Sequence, residues 1–263
     1  MTLAFSAPSL VRALVIACTF STFSTMGGCA AVPAGHAGAD ADALARAIER
    51  SVGKDAWEQT GAVRFGFRGA HHFIWDKQRS FVYVKSGEDE VWLDLTDRSG
   101  VASQDGRDVD DAKRAQLLTQ AWQWFCNDTF WLNPLVKLFD EGTTRELVVV
   151  EDEPPGRQRA LKVSYASGGA TPGDSYLWLL EDIDGQLTPV AVRMWVSNVP
   201  VRGFQVTWEG WTSLSTGAKV ATQHVAAGAF HVSIDDPAGA ATLATLEPGG
   251  DRFAVLVARG AHR

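Results

Sequence analysis

The sequence has very few cysteines. Only three occur, at positions 18, 29 and 126, and they are widely separated. Disulfide-rich domains and cysteine zinc sites need several cysteines in close or repeated spacing. The fold therefore has to be stabilised by a hydrophobic core, and a single domain of about 200 residues is large enough to bury one.

An excess of positive charge is also missing. The chain carries 24 Lys and Arg against 31 Asp and Glu, a formal net charge of −7, and its basic residues form no block. Proteins that bind nucleic acids use a basic surface that displaces counterions from the phosphates. We therefore expect no nucleic-acid partner.

Signatures of catalysis are absent as well. The sequence contains no HExxH, GxSxG, GxGxxG or phosphate-binding-loop pattern. His71 and His72 lie in a predicted strand, where neighbouring side chains point to opposite faces, so they are a poor metal site. Cys126 has no adjacent basic residue that could activate it. We predict no catalytic residue, no metal site and no cofactor.

The N-terminus, in contrast, carries an export signal. Arg12 is the only charged residue before Asp40, and the apolar stretch 13–20 that follows it is too short to span a bilayer, which takes about 20 residues. Met26-Gly27-Gly28-Cys29 then places an apolar residue and two small residues before a cysteine. This arrangement resembles the lipobox of bacterial lipoproteins.

The lipobox resemblance implies a lipid-anchored envelope protein. Residues 1–28 are expected to be a cleaved signal peptide, and Cys29 is expected to carry acyl chains such as palmitate. Two or more such chains give a stable membrane anchor. Because Ala30 and not Asp follows the cysteine, the sorting rule of enteric bacteria implies the outer membrane, facing the periplasm. The alternative is an ordinary signal peptide cleaved near Ala31 or Ala37.

The rest of the chain is predicted to form one domain, residues 40–258, after a flexible tether of small residues at 29–39. A helix is predicted over 40–52. From Val63 the apolar period changes to two, which indicates short strands joined by turns. A helical segment from Asp110 to about Phe139 interrupts these strands.

Strands are predicted to resume after this helical segment. Their ranges are 146–150, 160–165, 174–180, 191–197, 204–213, 219–224, 230–235, 241–246 and 253–257. Consecutive strands without helices between them imply antiparallel pairing. The fold class is therefore mainly β (α+β), and roughly a dozen strands have to curl, close or split into two sheets.

Tryptophan is unusually frequent. The ten tryptophans lie at positions 57, 75, 92, 122, 124, 131, 178, 195, 208 and 211. Each buried indole needs a partner for its N–H. So many indoles indicate either a large aromatic interior or an aromatic ligand surface, and the sequence leaves both open.

Three stretches resemble bacterial lipoproteins of the LolA/LolB-like superfamily, the lipoprotein-sorting proteins. They are Asp55-Ala56-Trp57, Asn127-Asp128-Thr129-Phe130-Trp131-Leu132-Asn133-Pro134 and Gly169-Ala170-Thr171-Pro172-Gly173-Asp174-Ser175-Tyr176. With the order of predicted elements, the resemblance covers about residues 40–225. It implies a strongly curved antiparallel half-barrel covered by helices, with an apolar cavity that holds acyl chains in the carrier members. The arginine of the carrier's lid matches no single position, since Arg64, Arg68 and Arg114 are all candidates.

The resemblance implies that aromatic side chains line such a cavity. The expected lining residues are Phe65, Phe67, Trp75, Trp92, Trp122, Trp131, Trp178 and Trp195. We expect a non-enzymatic envelope lipoprotein that binds a lipid, an acyl chain or another hydrophobic ligand. The alternatives are a tryptophan-rich surface module that binds glycans or other polymers, a purely structural envelope lipoprotein with a solid core, and a hydrolase with a site assembled from scattered residues.

Overall fold

The computed structural model describes residues 31–166, 173–197, 201–228 and 230–260, the side chains of 259 and 260 excepted. The predicted signal peptide and the expected acylation site at Cys29 lie outside these residues. Residues 169–172, which begin the third stretch that carries the family resemblance, lie outside them too.

Antiparallel strands form most of the described structure. They are β1 (Ala62–Phe67), β2 (His71–Asp76), β3 (Phe81–Ser86), β4 (Asp89–Asp94), β5 (Gly100–Gln104), β6 (Arg107–Asp108), β7 (Thr143–Val149), β8 (Arg159–Tyr165), β9 (Ser175–Ile183), β10 (Gln186–Trp195), β11 (Phe204–Thr207), β12 (Thr212–Ser213), β13 (Lys219–Val220), β14 (Gln223–Val225) and β15 (His231–Ala240). The helices are α1 (Ala39–Ser51), α2 (Lys54–Gln59), α3 (Asp111–Leu132), a 3-10 turn (Pro134–Lys137), α4 (Leu243–Leu246) and α5 (Ala254–Gly260).

The strands form two main sheets that meet along one edge. The larger sheet has the order β14-β15-β1-β2-β3-β4-β5-β6, and the smaller has the order β11-β10-β9-β8-β7. Just after β11, Glu209 forms an antiparallel bridge with Gln223 of β14. The amide of Val225 in β14 also donates to Oγ1 of Thr207 in β11, at 3.1 Å. These bonds join the sheets at β11 and β14.

Alternating side chains divide each sheet into two faces. We use the name inner face for the face of each sheet that carries the main hydrophobic core. Both sheets and the helices α1 and α3 contribute residues to this core. On β1, for example, Val63, Phe65 and Phe67 belong to this core, whereas Arg64 points outward and is exposed. The inner faces of both sheets and the helices α1 and α3 thus pack around one apolar interior.

The outer faces carry two smaller clusters. On the larger sheet, Ile74 and Tyr83 pack with Phe253 and with side chains of α4 and α5. On the smaller sheet, the second cluster is built from strand residues and Val150. The loop after Val150 is tied to this sheet, because Arg193 of β10 pairs with Glu153 at 2.5 Å.

The mainly β (α+β) class with antiparallel sheets is confirmed, and α1 begins and ends within one residue of its predicted bounds. Two predicted strands near the C-terminus are wrong, because 241–246 and 253–257 are largely helical in α4 and α5. Thr242 starts α4 by accepting a hydrogen bond from the amide of Thr245, at 3.2 Å. The predicted strand 204–213 is divided into β11 and β12, which belong to different sheets.

The second half of the predicted tether is held by the domain. His36 exchanges two backbone hydrogen bonds with Leu147 at the free edge of β7, each 2.9 Å long. The Nζ of Lys162 donates to the carbonyl of Pro33 at 2.8 Å. Pro33 and His36, which were predicted to belong to a flexible tether, are therefore hydrogen-bonded to the domain. No helix among the described residues is both long enough and apolar enough to span a membrane.

Candidate functional site on the inner face

The inner face collects six of the eight aromatic residues that were expected to line a cavity. Phe65, Phe67, Trp131 and Trp178 are buried within the main core, and Trp75 and Trp122 are half-buried against it. They come from β1, β2, α3 and β9, which are far apart in the sequence. The structure thus assembles an aromatic surface between the sheets and α3.

The other two expected residues face elsewhere. Trp92 alternates with the inward side chains of Val91 and Leu93, so it packs on the outer face of the larger sheet. Trp195 follows the inward Met194 and belongs to the outer cluster of the smaller sheet. The period of two that predicted these strands places both indoles on the opposite side from Trp75 and Trp178. Their assignment to the inner aromatic surface is therefore corrected.

The most closely packed part of this surface surrounds a histidine. The ring centroid of His224 lies 3.9 Å from that of Trp208 and 5.4 Å from that of Trp131. Trp208 in turn lies 5.0 Å from Trp178, with the two rings perpendicular. We call these four residues the His224 cluster. At its margin Phe230 is half-buried and lies 5.7 Å from Trp131.

Several polar atoms of the His224 cluster lack partners. The side chain of His224 has no exposed surface, and its ring nitrogens lie close to the backbone of Trp131 and Thr207 without reaching the geometry of a full hydrogen bond. The indole N–H of Trp208, which is 1 % exposed, is unpaired in the same way. Trp211, in contrast, donates its indole N–H to the carbonyl of Pro189 at 3.2 Å. The two unpaired side chains are therefore in direct contact with one another inside the apolar core.

Burial keeps His224 neutral. It lowers the pKa of the imidazole to about 4, and the nearby backbone of Trp131 and Thr207 offsets only part of this effect. A neutral imidazole has one N–H donor and one nitrogen acceptor. With the indole N–H of Trp208, the cluster offers two donors and one acceptor, which suits an uncharged hydroxyl or carbonyl group better than an anion.

A second polar group lies where α2 meets the start of the β2–β3 turn. Lys77 is half-buried, and its Nζ donates to the backbone carbonyl of Trp57. The same Nζ lies 4.4 Å from the ring centroid of Trp57 and 5.8 Å from that of Trp75. Burial is the main cause that lowers the pKa of Lys77 to about 8. This ammonium is thus held on aromatic faces and a carbonyl.

A histidine–aspartate pair ties α3 to β2. The Nδ1 of His71 lies 2.7 Å from an oxygen of Asp128, a carboxylate that is 1 % exposed. The other oxygen of Asp128 accepts from the side-chain amide of Asn127 at 2.8 Å. The ring of His71 also lies 4.3 Å from that of Trp124. This pair orients the imidazole, and it ties the C-terminal part of α3 to the sheet.

The three candidates for the carrier's lid arginine lie away from the inner face. Arg64 points outward and pairs with Glu247 at 2.8 Å. Arg68 is exposed in the turn after β1, and Arg114 pairs with Asp111 on α3 at 2.6 Å. The described contacts give none of them a role in covering the interior.

A cavity of about 320 Å³ lies on the other side of the larger sheet. It is lined by Arg79, Leu243, Ala244, Glu247, Gly249, Gly250 and Asp251. Arg79 occupies its wall in a fork that donates to both oxygens of Asp251, at 2.7 and 2.8 Å. Glu247, the third charged group of this cavity, pairs with Arg64 at 2.8 Å, so each charged lining residue has a partner of opposite charge.

Metal and thiol chemistry find little support among the described residues. No group of three or more His, Cys, Asp or Glu side chains there could hold a metal ion. Burial raises the pKa of the Cys126 thiol, which opposes formation of a thiolate.

Sequence reasoning does not single out Lys77 or His224, and it includes Asp128 only in the stretch 127–134 that resembles the lipoprotein superfamily. Each depends on neighbours from other elements, such as the separation of 57 residues between His71 and Asp128. A turn lysine directly after a strand that ends Trp75-Asp76 was the one local signal available. The comparisons with known proteins add nothing to these contacts, because no family model matches the chain and no curated protein matches it.

Proposed function

We propose that the protein is a membrane-anchored envelope lipoprotein whose inner face binds a lipid, an acyl chain or another hydrophobic ligand, without catalysis. In this proposal the two joined sheets form one strongly curved half-barrel of the LolA/LolB-like kind. Cys29 carries the acyl anchor at the outer membrane. The proposal rests on the apolar interior that the sheets share with α1 and α3.

The observation that carries the proposal is the pair of unpaired side chains in the His224 cluster. Nearly all buried polar groups in folded proteins are hydrogen-bonded. Leaving one unpaired costs about 1–3 kcal/mol. On the aromatic surface, the indole N–H of Trp208 has no partner, and beside it the two ring nitrogens of His224 have only weak contacts with the backbone of Trp131 and Thr207. A ligand with a hydroxyl or carbonyl group beside its apolar chain would satisfy them.

The burial of the tryptophans favours this proposal over a surface that binds glycans. A glycan platform needs several exposed indoles in a row. Five of the ten indoles are buried and the other five are half-buried, so none is freely exposed. The structural alternative with a solid core makes a different prediction, because its interior would take up no ligand.

The test uses the full chain with Cys29→Ser, which lacks the proposed acylation site. Metabolic labelling with palmitate should mark the wild-type chain and leave the Cys29→Ser chain unlabelled. Solvent extraction of the purified Cys29→Ser chain should release lipid in near-stoichiometric amount. His224→Phe should reduce this lipid, whereas the exposed His72→Phe should not. Absence of lipid, together with failure to take up any acyl probe, would overturn ligand binding and favour the solid core.

A further inference from the structure

Lys77 is a half-buried cation without an anionic partner. No carboxylate among the described residues lies within 4.0 Å of its Nζ, in contrast to Lys54, which pairs with Glu49 at 3.8 Å and with Glu58 at 3.3 Å. A desolvated charge is costly unless it is paired. The contacts of Lys77 with the carbonyl of Trp57 and with two indole faces compensate this cost only in part.

A second unpaired donor lies beside Lys77. The indole N–H of Trp75 is buried and has no acceptor among the described residues. Lys77 follows Trp75 by two residues, and its Nζ lies 5.8 Å from the ring of Trp75. Two neighbouring donors without an anionic acceptor match the oxygens of a carboxylate or phosphate.

The charges around Lys77 leave room for a direct partner. Glu58 of α2 exerts the largest charge effect on Lys77 and attracts it, whereas Lys54 of α2 and Lys137 of the 3-10 turn repel it. Glu58 pairs with Lys54 at 3.3 Å, so a bound anion would give Lys77 the direct contact that this carboxylate does not make. It would also raise the pKa of Lys77 again, because it would return an opposite charge to a desolvated site.

The Lys77 site is continuous with the inner aromatic surface. The ring of Trp75 lies 5.1 Å from that of Phe125 and 6.1 Å from that of Trp57, and both neighbours are buried in the main core. A head group held at Lys77 would therefore have apolar rings directly beside it. An amphiphile could place its chain along these rings.

We propose that Lys77 and the indole N–H of Trp75 bind the anionic head group, a carboxylate or a phosphate, of an amphiphile whose chain lies against the inner face. This inference rests on the proposed function and assigns the charge of the ligand. A neutral hydroxyl or carbonyl further along the same ligand would lie at the His224 cluster.

The test measures displacement of the apolar dye N-phenyl-1-naphthylamine from the full chain carrying Cys29→Ser. Three competitors share one alkyl chain and differ in the head group: dodecanoate, dodecyl phosphate and dodecanol. Lys77→Met keeps the apolar stem of the side chain and removes its charge. It should weaken binding of the preferred anion about tenfold or more and leave that of dodecanol unchanged. Lys85→Met, on the exposed part of β3, is the matched control and should change neither.

The pH dependence is a second readout. Between about pH 6 and pH 7, where dodecanoate is ionised and Lys77 is protonated, affinity should be constant, and it should fall above pH 8, where free Lys77 loses its proton. Lys77→Met should remove this decline, and dodecanol should never show it. Whichever anion binds more tightly identifies the source of the head group as a fatty acid or a phospholipid.

The outcomes separate the two proposals. If no competitor displaces the dye, or the dye does not bind, the proposed function fails. If all three compete equally and Lys77→Met changes none of them, ligand binding stands and the anionic site is overturned.

Discussion

The two faces of the larger sheet satisfy their polar groups differently. On the outer face, Tyr83 donates to Glu90 at 2.5 Å, and Arg79 bridges Asp76 and Asp251. The indole N–H of Trp92 is the exception there. On the inner side, buried polar atoms of Trp75, Trp208, His224 and Asn133 reach full hydrogen-bond geometry with no described residue. The polar groups of the outer face are thus mostly paired within the chain, whereas the inner side buries several polar atoms without a full hydrogen bond to a described residue.

The largest effect is expected from truncation on the outer face. Phe253 has no exposed surface and packs at 5.8 Å from Phe81. Phe253→Ala should lower the free energy of unfolding by about 3 kcal/mol, because it leaves a cavity under α5. Chemical denaturation measures this loss. Under conditions where the variant is folded, its affinity for acyl ligands should equal that of the wild type, and a parallel loss would remove the distinction between the faces.

Replacement of His224 should change the pH dependence of stability, whereas Phe253→Ala lowers stability itself. The folded pKa of about 4 lies below the ordinary value of 6.5, so acid protonates the unfolded chain first and stability falls as the pH drops from 6.5 toward 4. His224→Phe should remove about 2 kcal/mol of this acid sensitivity. At pH 7 it should leave stability unchanged or higher, because it removes unpaired nitrogens from the core.

Denaturation curves at pH 7 and pH 4.5 test this expectation, with His72→Phe as the exposed control. A large loss of stability at pH 7 in His224→Phe would show that the imidazole is a satisfied structural group. The inner side would then resemble the outer one.

The pair of His71 and Asp128 tests how firmly α3 covers the inner face. Since Asp128 is buried, His71→Leu would leave its carboxylate without a cationic or N–H partner from β2, at a cost of about 1–2 kcal/mol. A double-mutant cycle with Asp128→Asn should give a coupling of about 1 kcal/mol. Hydrogen exchange in α3 should rise in both single variants. An additive cycle would mean that other contacts hold the helix.

The smallest effect is expected at the ion pairs of the outer cavity. The Arg79 side chain is 34 % exposed and that of Asp251 is 41 % exposed, so solvent screens their attraction. Asp251→Asn should cost about 0.5 kcal/mol in the free energy of unfolding. Limited proteolysis should detect faster cleavage near 249–251. A cost of several kcal/mol would show that this exposed pair, and not the apolar packing of Phe253, holds the C-terminal segment.

The sequence predicted the parts of the fold that depend on local pattern. The helix over 40–52 and the start of the strands at Val63 follow from regular periods, and α1 and β1 lie where these periods placed them. Short apolar runs such as 243–246 fit a strand and a helix equally well, so the cap at Thr242 decided the outcome. The alternation of Val91, Trp92 and Leu93 predicts the outward direction of Trp92, whereas aromatic character by itself predicts no direction.

The candidate site was less accessible to sequence reasoning. The significance of His224 comes from Trp131 of α3 and Trp208, and that of Lys77 from Trp57 of α2, so tertiary packing creates both. No local pattern distinguishes these two residues from a buried strand histidine and a turn lysine.

Quenching of tryptophan fluorescence by a brominated fatty acid tests most directly whether the inner face binds an acyl chain. The full chain with Cys29→Ser, Trp92→Phe and Trp195→Phe keeps the indoles of the inner face and lacks the two that belong to the outer clusters. We predict saturable quenching of this variant by dibromostearate, to a depth similar to that of the chain with Cys29→Ser alone. Quenching no greater than that of free tryptophan, or quenching that disappears with the two outer indoles, would contradict the account.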